Sequence, residues 1–208
     1  MSAPPIVQEP RGTSGRLDVI YERRAVRAYK PDAIDERRLR ALLDAAVHAP
    51  TAMHQEPWQF IVVQNRALLK RVSDQAKEIA RAAAGHLGNL LKPPGAAGDG
   101  ISSPLADPEF NIFYDAGTLV VICARPTNEF VAADCWLAAE NLMLAAKADG
   151  LGTCCIGFAV QALNTSEAKS ELGIPADVHA FAPIIVGVPR AETLPAPRKS
   201  PVVLNWVR

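Results

Sequence analysis

Apolar positions along the chain recur at two spacings, and these predict helices alternating with strands. Helical spacing starts after Asp35, a typical N-cap residue, and stops before Pro50. A second stretch of helical character runs from 66 to about 84. Runs of strand length, rich in β-branched and aromatic residues, occupy 58–63, 119–123 and 181–188. This alternation favours an α+β or α/β sandwich.

The second half of the chain adds one unusual helix. Residues 131–149 carry apolar side chains on nearly every helical face. Such a helix is buried, either at the centre of a domain or against a partner subunit. Residues 150–157 then predict a helix stop followed by a short strand. Asn164 with Glu167 resembles a capping box for a last helix that ends near Gly173.

Three segments stand outside this pattern. Residues 1–14 are rich in Pro, Ser and Gly and are expected to form a flexible arm before a single domain at 15–208. Residues 85–108 are rich in Gly and Pro, and a connection of that length and composition is either disordered or a functional lid. We expect a lid. Residues 190–208 form a Pro-rich C-terminal extension.

Composition excludes several functional classes of protein. The 22 Lys and Arg balance 22 Asp and Glu, so the formal net charge is zero and a protein that coats nucleic acid or an anionic membrane is not expected. The four cysteines form no CxxC pair and no metal spacing with histidine, so buried reduced thiols and no metal are expected. No secretory signal or membrane-spanning run is evident, which predicts a cytoplasmic protein.

The zero net charge conceals an uneven distribution. Residues 11–40 hold nine Lys or Arg against five acids, and 190–208 hold four against one. The first region contains Arg23-Arg24-Ala25-Val26-Arg27. These arginines could form a solvated surface, or they could share one face of a helix or extended segment and bind a phosphate or another delocalised anion.

A second motif supports the anion interpretation. Residues 49–63 read Ala-Pro-Thr-Ala-Met-His-Gln-Glu-Pro-Trp-Gln-Phe-Ile-Val-Val. Together with Arg-Arg-x-Val-Arg, this run resembles the FMN-dependent nitroreductase family. The resemblance spans about residues 16–205 and continues in order through Ala139–Ala146, Gly150–Thr153, Leu172–Pro175, Val186–Pro189 and Arg198–Pro201. It implies an α+β nitroreductase-like sandwich, with a central mixed sheet flanked by helices, in a domain-intertwined homodimer.

The resemblance also implies a role for each matching residue. Arg23 and Arg24 would hold the phosphate of tightly bound FMN, helped by Arg198 and Lys199 from the extension. Arg27 would lie near the N1 and O2 edge of the flavin and tune its chemistry.

The flavin ring would be covered from the other subunit, and helix 131–149 would serve as the dimer element. The covering residues would be Pro50, Thr51, Ala52, His54 and Glu56. The loop at Ile156 and Gly157 would point a backbone N–H at flavin N5.

The implied activity is oxidation of NADH or NADPH. Hydride would pass to flavin N5, and a nitroaromatic, quinone or similar electron-poor acceptor would then take the electrons in a ping-pong mechanism. No side chain would act as nucleophile or as acid or base. No nucleic-acid or membrane partner is implied.

Two departures keep alternatives open. Ala25 stands where the family often has Ser, so one hydroxyl contact to the flavin is missing. Glu56 replaces the usual Gln and, with His54, resembles the iodotyrosine deiodinase branch, although 70–108 contain no tyrosine. Reductive dehalogenation, oxygen-dependent destruction of the flavin, and flavin binding without turnover therefore remain alternatives.

Overall fold

A computed structural model of the chain describes residues 17–82, 105 and 107–208. Its helices are α1 (Asp18–Glu22), α2 (Glu36–Val47), α3 (Arg66–Ala82), α4 (Val131–Ala148), α5 (Ala159–Leu163) and α6 (Ser166–Leu172). Its strands are β1 (Gln59–Val63), β2 (Thr118–Ala124), β3 (Gly152–Cys155) and β4 (His179–Gly187). A 3₁₀ turn at Ala52–His54 precedes β1. The longer predicted elements are thus confirmed, whereas α1 and α5 were not predicted.

The four strands form one sheet in the order β1-β2-β4-β3. Each neighbouring pair is antiparallel, and the register shifts once, between Ile122 and Cys123. A single parallel bridge joins Ala25 to Thr153 beside this sheet. Within 17–82 and 107–208, the parallel component expected of a mixed sheet is therefore confined to this bridge.

Helices cover both faces of the sheet. Val121 and Cys123 of β2 point into a cluster that includes residues of α3 and α5. Val120 and Ile122 point the other way, into a cluster with α2 and α4. Burial on both faces explains why this strand is an unbroken apolar run, and each fully buried side chain of this size contributes roughly 1.5–3 kcal/mol. The α+β sandwich is confirmed.

Two helix boundaries test the capping predictions. Asp35 accepts a hydrogen bond from the Arg38 N–H at 3.0 Å, as expected of the N-cap of α2. The prediction for α6 is wrong by one residue, because Thr165 and not Asn164 caps it. The Asn164 side chain instead exchanges two hydrogen bonds with the backbone of Ala180, both at 2.9 Å, and so joins α5 to β4.

Helix α4 is mainly a core helix of its own chain. Leu142, Cys135 and Ala138 are fully buried among residues of α2 and the sheet. Trp136 and Leu137 remain 40% and 45% exposed. The helix therefore leaves only a narrow apolar strip exposed, because its other faces fill one layer of the sandwich.

The predicted arm at 1–14 and the predicted lid, except for 105, 107 and 108, lie outside the described residues. Over the ranges that are described, no helix is long and apolar enough to cross a bilayer. The extension at 190–208 contains no helix or strand and is exposed along most of its length.

Candidate active site

The arginine segment lies along the end of the sheet in an extended conformation. The Val26 N–H donates to the Thr153 carbonyl at 2.9 Å, and the Lys30 N–H donates to the Val188 carbonyl at 2.8 Å. Alternate residues of an extended segment point to one side. Arg23 and Arg27 therefore share a side, which is the extended alternative left open by the sequence.

Two glycines permit this close approach. A Cβ on Gly152 would lie 2.7 Å from a methyl group of Val26, and a Cβ on Gly187 would lie 2.6 Å from the ring of Tyr29. The Tyr29 hydroxyl donates to the Val26 carbonyl at 2.6 Å. Burial raises the pKa of the Tyr29 phenol far above its ordinary value, so this donor stays protonated. Glycine is needed at both positions because the arginine segment packs directly on them.

Arg23 and Arg24 line a charged cavity of about 630 Å³. Its other charged lining residues are Lys30, Lys147, Arg190, Glu22 and Glu192. Arg23 Nε lies 3.4 Å from a carboxylate oxygen of Glu140. The cations outnumber the acids in the lining, so the cavity is suited to an anion.

Only part of the Arg24 guanidinium forms hydrogen bonds with described residues. Its Nη1 donates to the carbonyls of Tyr21 and Arg23, at 2.6 and 2.8 Å. Its Nε is buried and has no hydrogen-bond partner among the described residues. A buried N–H without a partner is costly, so this donor indicates a missing acceptor.

Arg27 is exposed and lies between an aromatic ring and a thiol. Its guanidinium carbon is 5.9 Å from the ring centroid of Tyr114. Burial raises the pKa of the Cys154 thiol, and the charges of Arg27 and Arg23 partly offset that effect. The Arg27 charge therefore lies at the surface on the same side as Arg23, where it can attract a second anionic group.

The loop after β3 offers one backbone donor. The Ile156 N–H donates to the Pro183 carbonyl at 2.9 Å and is therefore not available to a ligand. Gly157 is exposed, and a Cβ built on it would meet no atom within 4 Å. Of the two residues predicted here, Gly157 is the one that can present its N–H to a ligand.

The predicted covering segment, residues 50–56, is backbone-strained. Met53, His54 and Glu56 have φ values of 52°, 53° and 44°. This left-handed region costs a non-glycine residue roughly 1–2 kcal/mol. Ala52 anchors the turn through its N–H, which donates to Asp134 Oδ1 at 3.1 Å. Strain held in place by such contacts is common at functional sites.

The predicted site residues do not all meet within one chain. The cavity beside Arg23 and Arg24 is lined by none of residues 50–56 and by neither Ile156 nor Gly157. Arg198 and Lys199 are exposed in the extension and do not line the cavity either.

Several residues near the site were missed by sequence reasoning. They are Lys30, Tyr114, Glu140, Lys147 and Arg190. The local charge excess of 11–40 and of the extension was a signal for Lys30 and Arg190. The other three reach the site only through long-range packing, for which the sequence offers no local pattern.

A metal centre finds no support in the described ranges. No group of three or more His, Cys, Asp or Glu residues is placed there to hold a metal ion. His48 ends α2 and His179 begins β4, and both are exposed.

The comparisons with known proteins agree with the fold. The chain is 29% identical over 181 residues to a putative NADH dehydrogenase/NAD(P)H nitroreductase of Archaeoglobus fulgidus, covering 85% of this chain and 86% of that protein. A crystal structure of a nitroreductase with bound FMN from Bacteroides fragilis superimposes with a TM-score of 0.76 at 26% identity, covering 94% of this chain and 99% of that one.

A more distant likeness concerns the deiodinase branch. A crystal structure of oxidized iodotyrosine deiodinase, bound to FMN and 3-iodo-L-tyrosine, superimposes with a TM-score of 0.70 over 91% of this chain and 98% of that one. At 19% identity this likeness shows the shared fold alone. The Nitroreductase family model matches residues 20–188, and the chain belongs to that family.

Proposed function

We propose that the protein is an NAD(P)H-dependent FMN oxidoreductase that passes electrons to a nitroaromatic, a quinone or a similar electron-poor acceptor. The observation that carries the proposal is the extended arginine segment, which has a cation-lined cavity at Arg23 and Arg24 and an exposed cation at Arg27. FMN, when bound, supplies a hydride acceptor that discharges to a second substrate in a separate half-reaction.

The residues of this chain fit an FMN phosphate. Arg24 Nε has no hydrogen-bond partner among the described residues, and cations outnumber acids around the cavity. An anion with several acceptor oxygens would satisfy both. A guanidinium presents donors in a fixed fork that matches phosphate geometry. In this proposal Arg23 and Arg24 bind the phosphate, and Arg198 and Lys199 approach it when the extension packs against a partner.

Arg27 and Gly157 would act on the flavin ring. A positive charge about 4 Å from a developing negative charge is worth roughly 4 kcal/mol at an effective dielectric near 20, before desolvation. Arg27 would therefore favour the reduced state electrostatically, and Gly157 would donate a hydrogen bond from its backbone N–H. Neither residue needs to transfer a proton.

A homodimer would complete the site. The chain exposes apolar side chains at Trp136 and Leu137 on α4 and at Met53, which is 73% exposed in the strained segment. The extension adds Leu204 and Trp206, which are 96% and 71% exposed. A second copy would cover these side chains and bring residues 50–56 over the flavin, and the relation would be reciprocal in a twofold dimer.

The experiment starts from the purified protein. It is titrated with FMN, and the loaded protein is then mixed anaerobically with NADH or NADPH. We expect a yellow dimer. Its flavin absorbance should bleach when NADH or NADPH is added and return when a nitroarene is added. Absence of FMN binding, or absence of bleaching with either nicotinamide, would contradict it. Bound FMN without turnover on a panel of nitroarenes and quinones would favour the non-catalytic alternative.

Reductive dehalogenation is a second candidate. It is favoured by His54 and Glu56, which stand exposed and in left-handed conformations in the segment proposed to cover the flavin. Release of halide from a halogenated phenol by the dithionite-reduced holoprotein, with no electron transfer to nitroarenes, would select it. Permanent loss of flavin absorbance in air would instead select flavin destruction.

A further inference from the structure

Tyr114 stands in a strained turn next to Arg27. Its φ is 52°, and the φ of the following Asp115 is 54°. Two successive non-glycine residues in the left-handed region are costly, and they persist only where the surroundings determine them. The ring of Tyr114 lies 5.9 Å from the Arg27 guanidinium carbon, within the range of a cation–π contact.

The loop that carries Tyr114 is fastened to α3 by buried polar groups. Lys77 is 2% exposed, and its Nζ donates to the carbonyls of Phe110 and Pro108 at 2.8 and 3.0 Å. Asp74 lies 3.0 Å from the same ammonium group. Ser73 Oγ accepts a hydrogen bond from the Ile112 N–H at 3.0 Å. A buried lysine satisfied in this way fixes the loop relative to the helix.

Local contacts then set the direction of the ring. Phe110 meets Tyr114 edge-on, with ring centroids 5.6 Å apart and an interplanar angle of 83°. The Tyr114 N–H donates to the Asn111 carbonyl at 2.8 Å, and Asn111 Nδ2 donates to Asp115 Oδ1 at 3.0 Å. The turn therefore holds its strained residues through a side-chain clamp and an aromatic neighbour.

Besides the Tyr114 ring, Arg27 has the Cys154 thiol as a hydrogen-bonding neighbour. Arg27 is exposed, and none of the ion pairs found among the described residues includes it. A free arginine side chain carries about 2 kcal/mol of rotamer entropy, so its charge would be spread over many positions. The aromatic face of Tyr114 restricts that freedom without neutralising the charge.

We infer that Tyr114 is a positioning residue, which holds the Arg27 cation at one place beside the flavin-binding surface through its aromatic face. This inference rests on the proposed function, because it deepens the role given there to Arg27. The strain at Tyr114 is then the cost of directing the ring toward Arg27.

The first experiment measures the two-electron reduction of bound FMN in three variants by dye equilibration. Tyr114→Asn removes the ring and suits a left-handed conformation, so the fold is retained. Its reduction equilibrium constant is expected to fall about tenfold, which is about 30 mV for a two-electron couple. Tyr114→Phe keeps the aromatic face and is expected to stay near wild type.

Phe181→Leu is the matched aromatic control, because Phe181 packs against the cluster on the opposite face of the sheet. It is expected to leave the potential unchanged. An unchanged potential in Tyr114→Asn, or an equal fall in Tyr114→Phe, would overturn the inference, since the aromatic face would then not be the active feature.

The second experiment needs no FMN and uses the apoprotein. The Nε–Hε resonance of Arg27 should show a ring-current shift in wild type and in Tyr114→Phe, and should lose it in Tyr114→Asn. Absence of the shift in wild type would overturn the inference even if FMN binds. Failure of the proposed function would be seen separately, as an apoprotein with the shift that binds no FMN.

Discussion

The Asp134 carboxylate on α4 accepts a hydrogen bond from the backbone N–H of Ala52 at 3.1 Å. Asp134 is 4% exposed, although it lies two residues before the exposed Trp136. In the proposed dimer, one helix would therefore both offer an apolar strip to the partner subunit and anchor the turn that covers the partner's flavin. Formation of the proposed dimer and completion of the site would then be linked through this helix.

Replacing Asp134 tests this link. Asp134→Ala leaves the Ala52 N–H without its acceptor, so the free energy of unfolding should fall by about 1–3 kcal/mol. The FMN dissociation constant should rise about tenfold, because the covering turn loses its anchor. Asp134→Asn keeps an acceptor oxygen and should stay close to wild type. Urea unfolding and flavin fluorescence titration measure the two quantities, and FMN affinity equal to wild type in Asp134→Ala would contradict the link.

Arg27→Ala tests the electrostatic role of that residue. Removing a cation beside the reduced flavin should lower the reduction equilibrium constant about tenfold or more and slow reduction by the nicotinamide, while FMN remains bound. The effect should be smaller than the full Coulomb energy because Arg27 is exposed and solvent screens it. Arg27→Lys keeps the charge and serves as the control. An unchanged flavin potential in Arg27→Ala would refute the role.

Substitutions at Leu137 and Leu142 distinguish loss of the dimer from loss of folding. Leu137 is 45% exposed, so Leu137→Asp should yield a folded monomer with weakened FMN binding. Leu142 is 0% exposed in its own subunit, so a buried aspartate there should cost several kcal/mol, on the order of 3–5, and prevent folding. Light scattering and circular dichroism distinguish the two outcomes. A Leu137→Asp variant that stays dimeric would place the interface elsewhere.

Much of the sandwich could be predicted from the sequence because its central strands, β2 and β4, are buried on both faces. When predicted helices flank an apolar run such as 118–124, the run indicates a strand that is covered on both faces. Helices α1 and α5 escaped prediction because each has five residues, too few to show a helical period. The capping error at Asn164 has a different cause, because its amide pairs with the backbone of Ala180, sixteen residues away.

The sequence could predict those parts of the candidate site whose residues are neighbours along the chain. Arg23, Arg24 and Arg27 stand within five residues, so their charge was visible in the sequence. Glu140 and Tyr114 meet two of these arginines only because the chain folds back over more than eighty residues. No spacing rule predicts such a meeting, since packing of α4 and of the loop before β2 creates it.

The four cysteines are free thiols, and burial controls their reactivity. It raises the pKa of Cys123 and of Cys135 from 9.0 to about 12, and that of Cys155 to about 11. The thiolate is the reactive form, so at pH 8 the thiolate fraction of Cys123 should be about a thousandfold smaller than that of an unfolded cysteine. Iodoacetamide should therefore modify the native protein very slowly and the urea-unfolded protein at all four positions, as read by mass spectrometry.

The same raised pKa values predict how stability depends on alkaline pH. A thiol whose pKa is higher in the folded state contributes stability that is fully present below its unfolded value of 9.0. That contribution is lost as the pH rises from 9.0 toward the folded values near 12, because the unfolded chain then releases protons that the folded chain retains. Urea midpoints should thus fall between pH 8 and pH 10.5, and less so in a Cys123→Ala, Cys135→Ala double variant. Equal slopes in the two proteins, or rapid alkylation of native Cys123, would show that these thiols are not buried in solution.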